Sequence, residues 1–172
     1  MLAWSASELR SHLRADGYAQ VQRKVFDAFV EGELRHTPPF GALPPRALKE
    51  LVPMLELEEV PASTELFQAG SPGDKLYILL HGKVSLLRGS QLLERLEIEQ
   101  GGAAALAPLG LPIFGELAML DRKPRAATAV VTADSKLLVL QLANFGAANL
   151  AAPTLKAGLR KLREARRASA AR

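Results

Sequence analysis

The chain has 172 residues, of which 48% are hydrophobic, so it can form one domain with a core and is too short for two domains of ordinary size. It contains no cysteine, which excludes disulfides, thiolate metal sites and a cysteine nucleophile and suits a reducing compartment. The three histidines lie far apart without metal-ligand spacing, so we expect no metal site. The formal net charge of +4 comes from the basic residues after Pro153, so we expect a basic tail.

The N-terminal part of the chain has a helical pattern over residues 4–34 that Asp16-Gly17 interrupts, which predicts two short helices. In the second of these, four apolar residues fall on one face: Val21, Val25, Phe26 and Phe29. Most amphipathic helices cover a core with their apolar face, so we expect this face to pack on the domain, and packing on a partner is the alternative.

No targeting or membrane-spanning segment is indicated by the sequence. Residues 1–9 lack a basic region followed by an apolar stretch. The most apolar run, residues 101–114, is shorter than a bilayer span and contains Gly and Pro. We therefore predict a soluble, cytoplasmic protein.

Short strands dominate the middle of the chain. A proline-rich joint over residues 36–40 precedes a predicted helix, residues 44–55, which Pro53 bends or ends. The strands that follow are rich in Leu, Val, Ile and aromatic residues and are separated by turn residues; they are 55–60, 64–68, 75–80, 83–88 and 91–97. Strands this closely spaced predict an all-β roll or barrel, since a parallel sheet would need helical crossovers.

The stretch 114–128 combines the features of an anion cradle. Gly115 lets the backbone approach a ligand, and the apolar turn 117–120 can start a helix whose first amides have no internal partner. Gly115, Leu117 and Ala118 can therefore offer N–H groups to an anion. Arg125 follows the turn that Pro124 stiffens and can bring a planar fork of donors to the same anion, so the stretch predicts a phosphate site.

Glu116 would repel a phosphate unless it accepts hydrogen bonds from another part of the same ligand. A ribose hydroxyl is such a donor, and a ligand that carries a ribose and a phosphate is a nucleotide. The alternative is that Glu116 and Arg125 form a structural ion pair on a surface turn.

The last predicted elements are two strands and a helix. Strands over 127–132 and 136–140 complete the roll, and a helix runs from near Leu142 to the end with an interruption around Pro153. Three leucines of this helix fall on one face: Leu155, Leu159 and Leu162.

Residues 114–128 resemble, without a gap, the phosphate-binding cassette of cyclic nucleotide-binding domains, as found in regulatory subunits of cAMP-dependent protein kinase, catabolite activator proteins and cyclic nucleotide-gated channels. Residues 69–84 resemble the strand-turn-strand segment of the same family, with matching Gly70, Gly73, Asp74, Tyr77 and Gly82.

The resemblance implies a mainly β fold with flanking helices (α+β). This fold is an eight-stranded antiparallel β-roll of jelly-roll type with N-terminal helices, a short cassette helix and C-terminal helices. It divides the chain into an N-terminal helical segment (1–36), the β-roll domain (37–149) and a C-terminal basic helix and tail (150–172).

The resemblance also implies the contacts of the site. Glu116 would bind the ribose 2′-hydroxyl, and Arg125 the exocyclic oxygens of the cyclic phosphate. The complete set of implied ligand-binding residues is Phe114, Gly115, Glu116, Leu117, Ala118, Arg125, Ala126 and Ala127. Members that prefer cGMP often have Thr or Ser where this chain has Ala126, which implies cAMP rather than cGMP. The approach to the cassette, residues 107–113, lacks the Gly-Asp turn common in the family.

Two expectations concern the C-terminal helix. In relatives this helix caps the base, which makes Leu155 and Leu159 candidate cap residues, and packing of their stripe on the roll or on a partner helix is the alternative. Residues 166–170 resemble a site phosphorylated by cAMP-dependent kinase, which makes Ser169 a candidate phosphosite, with a solvated tail as the alternative.

The leading hypothesis is a non-enzymatic, cAMP-binding regulatory module that couples ligand binding to helix movement. The alternative is a structural or adaptor protein of the same fold, with weak or lost nucleotide binding, that acts through its terminal helices. Either reading expects a protein partner or larger assembly at the N-terminal or C-terminal helices. Nucleic-acid binding through the basic tail lacks a base-reading surface. An enzyme is not expected, because clustered metal ligands for phosphate chemistry are missing from the sequence.

Overall fold

The computed structural model describes residues 15–99, 110–141, 143–144 and 152–170. The helices in these ranges are α1 (Ala15–Arg35), α2 (Pro45–Leu51), α3 (Glu116–Asp121) and α4 (Ala152–Ala170). The strands are β1 (Glu56–Val60), β2 (Glu65–Phe67), β3 (Lys75–Arg88), β4 (Gln91–Ile98), β5 (Ile113–Phe114) and β6 (Thr128–Gln141). Short 3-10 turns at Phe40–Ala42 and Val52–Met54 flank α2.

The described strands form one antiparallel sheet in the order β1-β6-β3-β4, with β2 paired to β6 and β5 paired to β3. The long strands β3 and β6 pair with each other along most of their length and form its centre. The prediction of a mainly β, antiparallel fold with flanking helices is confirmed.

The predicted strand count is not confirmed, because six strands occupy the described residues where eight were predicted. The predicted strands 75–80 and 83–88 are both parts of β3, and 127–132 and 136–140 are both parts of β6. The pairing of β3 with β6 shifts register between Leu79 and Val84 and then resumes. Gly82 has a φ of 103°, and a side chain there would meet the Ser135 hydroxyl at 2.2 Å. The ladder bulges at this glycine instead of ending there.

The N-terminal helix departs from the prediction in two ways. It is continuous from Ala15 through Asp16-Gly17, because a single glycine costs a helix only about 1 kcal/mol. The face expected to pack on the domain is also wrong for three of its four residues, since Val21, Val25 and Phe29 are exposed. Phe26 packs against the core, to which Val30 and Leu34 belong. The helix predicted to precede Asp16 lies outside the described residues.

The other helices agree more closely with the predictions made from the sequence. The helix α2 ends in the 3-10 turn that contains Pro53, as predicted. Pro153 lies in the first turn of α4, where its missing N–H is tolerated, so α4 begins where an interruption was expected. Of residues 142–151, only Ala143 and Asn144 are described, and both are helical.

One hydrophobic core joins the helices to the sheet. Val30 and Leu34 of α1 and Leu155 and Leu159 of α4 belong to the same buried cluster as the sheet residues, and all four are fully buried. None of the helices in the described ranges has both the length and the hydropathy of a bilayer-spanning segment.

A buried threonine connects the end of α1 to the segment before β5. The Thr37 side chain is fully buried, and its Oγ1 donates a hydrogen bond to the carbonyl of Glu33 at 3.0 Å. The same oxygen accepts a hydrogen bond from the backbone N–H of Leu111 at 3.0 Å. Leu111, in the approach to the cassette, is therefore linked through Thr37 to the end of the N-terminal helix.

Candidate functional site

The predicted cassette begins at the end of β5 and contains a single short helix. Gly115 adopts a left-handed conformation with a φ of 78°, which turns the chain from β5 into α3. A side chain at this position would lie 2.6 Å from Nη1 of Arg125. Arg122, which is also left-handed, ends α3 and directs the chain back toward Arg125. The turn therefore brings Glu116 and Arg125 to the same end of the sheet.

Arg125 is the centre of the site, and its side chain is only 5% exposed. Its Nη1 donates to the carbonyl of Gly115 at 2.6 Å, and its Nη2 donates to the carbonyl of Lys75 at 2.9 Å. Its backbone is fixed by two further bonds, from Arg125 N–H to the Ser71 carbonyl and from Gly70 N–H to the Arg125 carbonyl, both 2.8 Å. Hydrogen bonds thus hold both the guanidinium and the backbone of Arg125.

Aromatic rings pack beside the Arg125 guanidinium. The Arg125 Cζ lies 4.1 Å from the centre of the Phe67 ring and 5.9 Å from that of Tyr77, distances at which an arginine is attracted to the ring face. Tyr77 stacks on Phe114 with ring centres 5.2 Å apart, and Phe67 lies 6.3 Å from Phe114. These rings support Arg125 from the core side.

Gly73 provides the space in which Arg125 and α3 meet. A Cβ at this position would lie 2.1 Å from the Cβ of Ala118, 2.9 Å from Nε of Arg125 and 3.0 Å from its Cζ. Ala118 is itself 2% exposed. A residue larger than glycine at position 73 would push the cassette helix and the arginine apart.

Burial and neighbouring charges shift the pKa values of the ionisable groups in the site. Burial lowers the pKa of the Arg125 guanidinium from its usual value, while Tyr77, Asp74 and Glu116 act in the opposite direction. An arginine remains protonated in proteins, so the site keeps a buried positive charge. Burial raises the pKa of the Tyr77 phenol, and the charge of Arg125 opposes this rise. Glu116 is 3% exposed and is the first residue of α3, where a carboxylate interacts favourably with the helix dipole.

The other predicted ligand-binding residues lie around this centre in different environments. Phe114 is fully buried and Ala126 is exposed, whereas Gly115 and Ala127 are half-buried. Leu117 lies in α3. Whether each of these residues contacts a ligand stays a prediction.

The predicted residues of the C-terminal helix are separate from this centre. Leu155 and Leu159 are fully buried in the core, and α4 contacts α3. Ser169 lies in the last turn of α4. Their assigned roles as base cap and phosphosite stay predictions.

Sequence reasoning missed several groups that shape the site. They are the ring of Phe67, the ring of Tyr77 and the carbonyls of Lys75, Gly115 and Ser71. Gly73 was predicted only as a matching residue of the strand-turn-strand segment, and the structure shows that its missing side chain makes room for Arg125. The spacing of Gly70, Gly73 and Tyr77 carried part of this signal. In the ranges that the structure describes, no three His, Asp or Glu residues cluster as metal ligands.

Comparisons with known proteins agree on one family. The family model described as the cyclic nucleotide-binding domain matches residues 57–148, more than half of the chain. A cyclic nucleotide-gated potassium channel from Mesorhizobium japonicum is 31% identical over 78% of this chain and 34% of its own length. A cyclic AMP receptor protein from Thermus thermophilus is 33% identical over 77% of this chain and 60% of its own length.

A solved structure shows the same fold. The regulatory domain of Toxoplasma gondii PKA, crystallised with cAMP, superposes with a TM-score of 0.65 at 16% identity and covers 92% of this chain and 55% of that chain. The chain spans only about a third of the potassium channel that it matches. The predicted family is confirmed, and the chain belongs to the cyclic nucleotide-binding domain family.

Proposed function

We propose that this chain is a non-enzymatic regulatory module that binds cAMP at the cassette and converts binding into movement of its terminal helices. The observation that carries the proposal is the buried guanidinium of Arg125, which is held in place by the carbonyls of Gly115 and Lys75. A positive charge buried at the start of a cassette helix suits the negative charge of a cyclic phosphate.

The guanidinium retains donors for such a phosphate. Of the five N–H groups of an arginine, the two carbonyls engage one on each terminal nitrogen. Nε is buried and has no hydrogen-bond partner among the described residues. Charge-assisted bonds from these remaining donors to phosphate oxygens would be strong, because the site is largely shielded from water.

Glu116 would bind the ribose 2′-hydroxyl in this arrangement. Its carboxylate is buried and close enough to act on the pKa of Arg125, so one compact ligand can reach both side chains. The amides of Gly115, Leu117, Ala118 and Ala126 would assist at the phosphate. We propose cAMP over cGMP because Ala126 offers no hydroxyl to a guanine.

Coupling to the helices would pass from α3 to α4. Ala118 of α3 packs against Gly73 beside Arg125, and α3 also contacts α4. A phosphate bound by Arg125 and the start of α3 would therefore act on the helix that α4 contacts. The ligand shifts α4 only by the difference in its affinity for the two arrangements. In the bound arrangement Leu155 or Leu159 would cover the base.

The partner and the setting of the module are proposals as well. A protein partner would recognise the terminal helices, and Ser169 on α4 would be a site of modification. The division of the chain at residues 36 and 149 and the cytoplasmic location stay predictions.

Calorimetric titration with cAMP and cGMP tests this function. We expect cAMP to bind more tightly than cGMP, and Arg125→Ala to weaken cAMP binding at least tenfold, because each charge-assisted hydrogen bond contributes about 1.5–3 kcal/mol. Arg125→Lys, which keeps the charge but loses the fork, should fall in between. Arg88→Ala, at an exposed arginine of β3, is the matched control and should bind as the wild type does.

Thermal unfolding of each variant separates lost binding from lost folding. Absence of heat with folded wild-type protein at micromolar cAMP would contradict the proposal and favour an adaptor role. A folded Arg125→Ala variant with unchanged affinity would show that the phosphate binds elsewhere.

A further inference from the structure

The helix α1 carries apolar side chains on two opposite faces. Val30 and Leu34 point into the core and are fully buried. Val21, Val25 and Phe29 are spaced four residues apart, so they follow one another along the opposite face at 3.6 residues per turn. Their exposed fractions are 39%, 65% and 53%. The helix thus presents an apolar surface that the described part of the chain leaves open to solvent.

Small residues continue this surface. Ala28 and Gly32 are exposed on the same side of α1, and a Cβ at Gly32 would meet nothing within 4 Å. We call the surface formed by Val21, Val25, Ala28, Phe29 and Gly32 the α1 stripe. Single exposed apolar residues are ordinary, whereas a continuous stripe with small residues that allow close approach suits the packing of another helix.

The charged residues beside the α1 stripe can pair with those of a second copy of α1 that runs in the opposite direction. Lys24 and Glu31 both lie along the same edge of the stripe. If a second α1 lies antiparallel with its centre near Asp27, Val25 lies opposite Phe29 of the second copy. Lys24 then lies opposite Glu31 of the second copy, and each contact occurs twice by symmetry.

Glu31 can accept this second cation. Arg35 of the same helix already forms an ion pair with Glu31, and an ionised carboxylate has room for more than one donor. In a parallel arrangement, by contrast, the edge that carries Lys24 and Glu31 would face the opposite edge of the second copy, so these two residues would not pair with each other. The charge pattern therefore favours the antiparallel arrangement of two identical helices.

We propose that a second copy of this chain docks on the α1 stripe as an antiparallel helix pair. The pair leaves the cassette free, because the stripe faces away from the core that supports Arg125. The inference is independent of nucleotide binding. One helix pair buries less than about 1,000 Å², so we expect a weak dimer that forms at micromolar or higher concentration.

Sedimentation equilibrium of the full chain over a wide concentration range tests the proposal. We expect a monomer–dimer equilibrium that Val25→Ser and Phe29→Ser each weaken at least tenfold. Leu57→Ser, at a leucine of β1 that is 43% exposed, is the matched control and should leave the equilibrium unchanged. Circular dichroism checks that the variants remain folded. A monomer at all concentrations, or a dimer unaffected by both stripe variants, overturns the proposal, whatever else binds the stripe.

A charge exchange tests the orientation. Lys24→Glu alone and Glu31→Lys alone should each weaken self-association, because each places like charges opposite one another. An equimolar mixture of the two variants should associate again, since both contacts between unlike copies then join opposite charges. No recovery in the mixture would refute the antiparallel pair.

Cysteine scanning gives a second readout of orientation, because the chain has no native cysteine. Ala28→Cys, near the centre of the pair, should form a disulfide-linked dimer on mild oxidation. Val21→Cys should not, since its two copies would lie about 18 Å apart along the helix axis at 1.5 Å per residue. Cross-linking of Val21→Cys with none at Ala28→Cys would refute this arrangement.

Discussion

The substitution Gly73→Ala tests how tightly the cassette is packed. In the present structure a Cβ at this position would lie 2.1 Å from the Cβ of Ala118 and 2.9 Å from Nε of Arg125. Ordinary carbon–carbon contacts are about 3.5–4.0 Å, so Ala118, and α3 with it, would have to move away from position 73 by roughly 1.5 Å. The backbone of Gly73 is not left-handed, so the effect arises from contact alone.

Two free energies should change. Overpacking of this kind costs about 1–3 kcal/mol of unfolding free energy. If the displaced Arg125 loses one charge-assisted bond to the phosphate, binding weakens by about 1.5–3 kcal/mol, which corresponds to roughly 10-fold to 150-fold in affinity for cAMP. Urea unfolding measures the first quantity, and calorimetry with cAMP measures the second.

Gly41→Ala provides the matched control. A Cβ at Gly41 would lie 2.4 Å from the carbonyl oxygen of Arg35, which is a similar clash in the 3-10 turn before α2. This variant should also lose stability but keep its affinity for cAMP, because it does not touch Arg125. If Gly73→Ala binds cAMP as tightly as Gly41→Ala does, the proposed role of the Gly73 contact is refuted.

Three further substitutions test other parts of the structure. Because burial raises the pKa of Tyr77, the stability that this shift contributes is present below its unfolded-state pKa of about 10 and is lost as pH rises through the folded-state pKa. Tyr77→Phe should thus lose less stability than the wild type as pH rises above about 10. Urea unfolding that shows the same loss of unfolding free energy with pH in both proteins would contradict this. Thr37→Val leaves the buried N–H of Leu111 without its partner and should cost about 1–3 kcal/mol, whereas unchanged urea unfolding would mean that this hydrogen bond is dispensable. Gly158→Ala would place a Cβ 2.1 Å from that of Pro39, and the clash should outweigh the helix-propensity gain of about 1 kcal/mol; a higher melting temperature would show that α4 is loosely docked.

The cassette was predictable because its signals are local. A glycine, a carboxylate, a short apolar turn and an arginine within twelve residues require little knowledge of the rest of the fold, and the structure brings Gly115, Glu116 and Arg125 together. The groups that hold Arg125 were not predictable in the same way. Phe67 and the Lys75 carbonyl lie 58 and 50 residues earlier in the chain, and only the pairing of the strands brings them near.

The predicted strand count was not confirmed and the predicted inner face of α1 was mostly wrong, for related reasons. Gly82 has the composition of a turn, and only the partner strand decides whether the chain bulges or reverses there. In α1 the hydrophobic pattern identified an apolar face correctly, but a helix with two apolar faces does not reveal which one meets the core. Val30 and Leu34 meet it, and Val25 does not.

A crystal structure of this chain grown with excess cAMP tests the central claim most directly. The account predicts phosphate oxygens at about 2.7–2.9 Å from the Arg125 guanidinium, the distance of charge-assisted hydrogen bonds, and a ribose hydroxyl donating to Glu116. Density for cAMP at another surface would contradict it. So would a cassette without ligand, with Arg125 still bonded only to the carbonyls of Gly115 and Lys75.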